Sequence, residues 1–167
     1  MKGNGFGVGW EGLYLPSLMK AHAQWRQRSD DLSETLKLFM ILGEHLNQQY
    51  GGSFYAKAQN LRRALRAAYD EKLKSHDLLL MPTTPMRATP LPGKDSSREE
   101  YIKRALEMVP NTCPFDVSGH PAMNIPCGKS EGLPIGLMLV GKHFDEPVIY
   151  QAAACFEKNV DWKDMSF

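Results

Sequence analysis

Two short apolar runs, Leu78–Met81 and Ile135–Val140, most constrain what this 167-residue chain can fold into. The first stops at Pro82 and the second is set between glycines. Continuous apolar runs of this length, bounded by turn residues, predict strands buried on both faces. Such strands want neighbours on either side, and two or three are too few to form a good sheet alone. The chain is therefore expected to be part of a larger sheet.

The remaining segments read mostly as helices. Ser17 to Arg28 is one. Asp31 and Glu34 stand at capping-box spacing ahead of Leu36, Phe39, Leu42 and Leu46, so a second is expected to start near Ser33 and end at Tyr50–Gly52. Phe54, Ala58, Leu61, Leu65, Ala68 and Leu73 recur at helical steps and predict a long third. Its other face carries Lys57, Arg62, Arg63, Arg66, Lys72 and Lys74, which reads as a solvated face because the whole chain has a net charge of only +1. Ser96 and Ser97 each precede a glutamate by three residues and predict a capped helix over "SSREEYIKRALEM". A closing helix begins with Pro147 in its first turn and places Val148, Ala152, Cys155 and Phe156 on one face. The Gly-rich residues 1–16 lack a GxGxxG spacing and a preceding strand, so a nucleotide loop is not expected.

Composition excludes several classes. The near-neutral charge argues against a strong hold on nucleic acid or an anionic membrane. The three cysteines form no CxxC pair, which suggests neither a zinc knuckle nor a disulfide framework and fits a reducing cytoplasm. No signal peptide or membrane-spanning run is expected. The five histidines, at 22, 45, 76, 120 and 143, show no HxxxH or HxH spacing, so no metal is expected. Cys113, Asp116 and His120 are a nucleophile, an acid and a base by type, but such partners normally converge from separate parts of a chain. They are not expected to form a triad, and Cys113 reads as a packed small side chain. Lys94, Ser96 and Ser97 include the residue types of a Ser–Lys hydrolase, yet the cap explains the serines better.

Three segments taken together carry a resemblance. "DLLLMPTTP", "NTCPFDVSGHPAMNIPCG" and "GLPIGLMLVGKHFDE", in this order and at these separations, resemble the C-terminal part of amidase signature enzymes. The matching positions include Asp77, Pro82, Thr83, Pro85, Pro114, Phe115, Asp116, Gly119, Pro121, Pro126, Gly128, Pro134, Gly136 and Glu146. The resemblance implies an α/β fold in which a mixed sheet is flanked by helices. On that reading residues 1–167 are the C-terminal part of a single amidase domain, with a lead-in over 1–16, helices over 17–76, and strands and closing helices over 77–167. It also implies hydrolysis of carboxamides to acid and ammonia by two serines and a lysine, the serines lying in a Gly/Ser-rich signature.

No G-x-S-S-G-G-like run occurs in these 167 residues. Ser96 and Ser97 lie on the wrong side of the PTTP motif, so no catalytic role passes to them, and the chain is expected to be inactive alone. What the resemblance leaves to it is the wall of the acyl pocket, with Thr83, Asn111 and Cys113 as candidate substrate-binding residues. No cofactor and no metal are implied. The implied partners are the N-terminal amidase region or a second copy of the chain, and a small amide substrate in the intact enzyme; a homodimer is one form. Many members carry Gln where Met138 stands, and those acting on tRNA-linked glutamate tend to place an acid near Val109. This chain therefore resembles a plain amidase of aliphatic or aromatic amides more than a piece of a glutamyl-tRNA amidotransferase. The other function class is a binding remnant that reuses the fold without catalysis.

Overall fold

The computed structural model describes residues 12–165, so most of the Gly-rich lead-in lies outside the described residues. These residues form two compact units, one up to Glu44 and one from His45 onward.

The first unit is helical. Helix α1 spans Pro16–Ala23, and a 3-10 segment over Gln24–Asp31 follows instead of a continuous helix to Arg28. Helix α2, Glu34–Tyr50, runs out of this unit. Ser33, rather than Asp31, caps it: the Ser33 Oγ accepts from the Leu36 amide at 3.3 Å. The expected stop at the glycines is present, since Gly51 adopts a positive φ of 58° that few other residues tolerate.

The second unit is a three-layer sandwich. Helix α3 (Ser53–Leu73) is followed by strand β1 (Leu79–Pro82), helix α4 (Arg98–Leu106), helix α5 (Cys113–Ser118), strands β2 (Ala122–Ser130) and β3 (Leu133–Val140), and helix α6 (Glu146–Asn159). The strand order is β1-β3-β2 and both pairings are antiparallel. Strands β2 and β3 form a hairpin in which Glu131 and Gly132 both take positive φ, 51° and 78°, as a tight right-twisting turn requires.

Side chains of β3 alternate between the two faces. Leu137 and Leu139 join Ile125 against Ile149, Ala153 and Phe156 of α6. Met138 and Val140 face the other way, onto Phe115 of α5 and Tyr69 of α3. Met138 is thus a core residue.

Three expectations need correction. The buried face of α6 is built on Ile149, Ala152, Ala153 and Phe156, and Cys155 is exposed. In α3 the inward side chains are Leu65, Tyr69 and Leu73, while Phe54 and Leu61 stay exposed. Of the two apolar runs only Ile135–Val140 has a strand on each side. Strand β1 pairs with β3 alone among the described residues, and Leu80 on it remains 63% exposed.

The "NTCPFDVSG" stretch is a short helix, not an open loop. Pro114 sits in its first turn, where no amide is needed, and Gly119 ends it in the left-handed region with φ 81°.

Candidate functional site

The end of β1 gathers polar groups from four elements. The Thr83 amide donates to the Gly136 carbonyl at 2.9 Å, continuing the ladder one residue past Pro82. The Thr83 hydroxyl donates to Asn124 Oδ1 on β2, reaching across β3. This is possible because residue 136 has no side chain: a Cβ there would overlap the Asn124 amide and lie 2.9 Å from Thr83 Oγ1. Asn111 Nδ2 donates to the Pro82 carbonyl at 2.8 Å, which pins the turn before α5 to the same strand end. Cys113 opens α5 as an exposed free thiol, not the packed small side chain expected of it. The structure therefore brings Thr83 and Asn111 together through Pro82, with Cys113 two residues further along the same turn. Asn124 and Gly136 complete the cluster. Gly136 belonged to the quoted motif, but nothing in the sequence distinguished Asn124 from any other strand residue.

Beside this cluster runs a groove of about 680 Å³ between the 84–92 segment, α4 and the start of β3. Met86, Leu91, Tyr101, Met108, Pro134 and Ile135 make it mostly apolar. Pro82 and Gly136 line it too, so cluster and groove share a border; Thr83, Asn111 and Cys113 are not among its lining residues. Pro85, Pro90 and Pro92 stiffen the segment that forms one wall.

A second polar cluster lies on the α3 side of the sheet. His120 is 4% exposed, and both of its ring nitrogens are engaged. Nδ1 meets Ser118 Oγ at 2.9 Å and Nε2 meets Asp70 Oδ1 at 3.2 Å. With its nitrogens spent there, His120 does not serve Cys113 or Asp116, as expected. Ser118, His120 and Asp70 do have the residue types and bonding order of a serine hydrolase triad. Ser118 is 0% exposed, however, so no substrate carbonyl can approach its oxygen. Burial, and after it the neighbouring His143, hold the His120 imidazole below the usual histidine range against the upward pull of Asp70.

Other candidates resolve structurally. Ser97 Oγ accepts from the Glu100 amide at 3.1 Å and caps α4, so the serine–lysine pattern is a cap. The basic residues of α3 are exposed, and Arg62 turns to the Val117 carbonyl at 2.8 Å. Cys127 sits at the β2 bulge, and burial pushes its thiol up. No helix of the described residues is long and apolar enough to cross a membrane.

Most of the chain matches known proteins. The family described as Amidase matches residues 14–149. An uncharacterized protein in the nthA 5′ region of Rhodococcus erythropolis is 46% identical over 159 residues, covering 95% of this chain and 80% of that one. An enantioselective amidase of Rhodococcus rhodochrous is 39% identical over 96% of this chain, which spans only 31% of that enzyme. Among solved structures, a glutamyl-tRNA(Gln) amidotransferase component from Thermotoga maritima superposes with a TM-score of 0.59 at 25% identity. That match covers 88% of this chain and 32% of the other.

Proposed function

The chain belongs to the amidase family, and on that premise we propose that it is the C-terminal part of an amidase hydrolysing carboxamides to carboxylate and ammonia. Its role is to wall the acyl pocket. The observation that supports this is the polar cluster at the end of β1, bordering an apolar groove of about 680 Å³. An apolar cleft with a few convergent polar groups suits a substrate with an apolar acyl group and a polar amide head. Thr83 and Asn111, which reach the groove only through Pro82, and Cys113 beside them are assigned to the polar end of that pocket, not to the groove's own lining.

Amide hydrolysis also needs an activated nucleophile and preorganised oxyanion donors. Neither the buried Ser118 nor the capping Ser97 supplies the first. The catalytic serines and lysine then come from an N-terminal amidase region, in the same polypeptide or a separate one. The 167-residue chain alone should release no ammonia from benzamide or a short aliphatic amide above a vector-purified control. Release above that control overturns the assignment of catalysis to another region.

The positive arm is a chimera. These residues replace the matching region of the Rhodococcus rhodochrous amidase, and ammonia release should be retained. Thr83→Val in the chimera should raise KM, because the Asn124 contact that holds the strand end is lost. A folded chimera that is inert would refute the pocket-wall role and favour a non-catalytic binding remnant. The likeness to the Thermotoga maritima amidotransferase component favours a second reading, a piece of an enzyme of that kind. Glutamine as the preferred amide of the chimera would decide for it.

A further inference from the structure

Asp70, His120 and His143 come from α3, the α5–β2 connection and the β3–α6 connection, and they meet on one side of the sheet. One donor atom from each lies within 4.8 Å of the others. From this convergence we propose that Asp70, His120 and His143 form a binding site for a single divalent transition-metal ion of the zinc class.

The spacing is near what such an ion needs. Tetrahedral zinc with ligands at about 2.0–2.1 Å sets its ligand atoms roughly 3.3 Å apart. Asp70 Oδ1 is 3.2 Å from His120 Nε2 and 3.8 Å from His143 Nε2. His143 Nε2 is buried without a hydrogen-bond partner, a costly state for a ring nitrogen unless something occupies it. Ser118 holds the opposite nitrogen of His120, the outer contact that orients a ligating imidazole and leaves Nε2 for the metal. Tyr69 packs edge-on against the same ring.

The donor chemistry selects the ion. Two imidazoles and one carboxylate suit zinc and its neighbours better than calcium or magnesium, which prefer all-oxygen shells. Asp70 is about half exposed, so an ion can enter from that side and a solvent molecule can complete the shell. Arg66 lies 3.8 Å from the other carboxylate oxygen, Oδ2, and leaves Oδ1 to the site. Loading replaces the Asp70–His120 hydrogen bond with two metal bonds. It also spreads the two imidazoles, now 4.1 Å apart between ring centroids, to roughly 5 Å.

The test is a zinc titration of the chelator-stripped 167-residue chain by calorimetry, with cobalt substitution read by visible absorption. The expected result is one saturable equivalent per chain. Cobalt should give tetrahedral bands without the near-ultraviolet charge-transfer band that cysteine ligation would add. Asp70→Asn and His143→Ala should each weaken zinc at least about tenfold, and Ser118→Ala about tenfold through the outer contact. His76→Ala, outside the cluster, should leave affinity unchanged. His143 is partly exposed, so its variant reports even if replacing the buried His120 prevents folding. Absence of saturable binding overturns the proposal, as does binding unaltered in both Asp70→Asn and His143→Ala, or a cobalt spectrum of thiolate type.

Discussion

At the scale of single residues, two positions carry the most information. Gly136 is where two side chains cross over a strand. Gly136→Ala drives a methyl group into Asn124 and Thr83, and overpacking of this kind costs about 1–3 kcal/mol. Urea unfolding of the two proteins checks it, and an unchanged midpoint would mean that the Thr83–Asn124 contact is dispensable. His120 sets a pH dependence. Its folded value is lowered by burial and by His143, with Asp70 opposing and Arg66 adding slightly to the lowering. A neutral imidazole is therefore favoured by folding. The associated stability is fully present above the unfolded value of about 6.5 and is lost as pH falls from there through the lowered folded value. In chelator, the urea midpoint should drop between about pH 7.5 and about pH 5, and His120→Gln should flatten that drop.

At the scale of elements, capping and alternation explain most of what forms. Ser97→Ala removes the α4 cap and should cost about 1 kcal/mol, read from the loss of helical signal on thermal melting. Leu80 and Leu139 are cross-strand partners on one face of the sheet, and they predict a contrast. Leu139 lies in the core against α6, so Leu139→Ala should cost about 2–5 kcal/mol. Leu80 on β1 is nonetheless largely exposed, and Leu80→Ala should change stability by less than about 0.5 kcal/mol. Equal losses at the two positions would mean that β1 is covered in solution.

At the scale of the whole molecule, apolar surface is left over. Phe39, Ile41 and Leu42 on α2 are exposed, as are Phe54, Tyr55 and Leu61 on α3 and Leu80 on β1. Exposed apolar faces and strand edges recruit partners. The isolated chain should therefore self-associate in sedimentation velocity. A monodisperse monomer that melts cooperatively would show that these faces are tolerated in water and would weaken the reading of the chain as part of a larger domain.

The sequence by itself determined the family and most of the elements, but not α5 or the 3-10 break after α1. The continuous apolar runs, period-3.6 patterning, the Ser97 cap, Pro82, Pro114 and the glycine stops are local signals, and local chemistry satisfies them wherever the chain goes. The P-F-D-x-x-G-x-P stretch likewise pointed to the family without any knowledge of its shape. Which side of each helix is buried was not legible, because Leu65, Tyr69 and Leu73 were selected over Phe54 and Leu61 by what packs on them. The same is true of both polar clusters. Asn124 matters only because Gly136 lets Thr83 reach it across a strand. Asp70, His120 and His143, 73 residues apart at the extremes, matter only because the sheet and α3 bring them within 4.8 Å. Spacing along a chain records neighbours within one element, and a site built from three elements exists only once they pack.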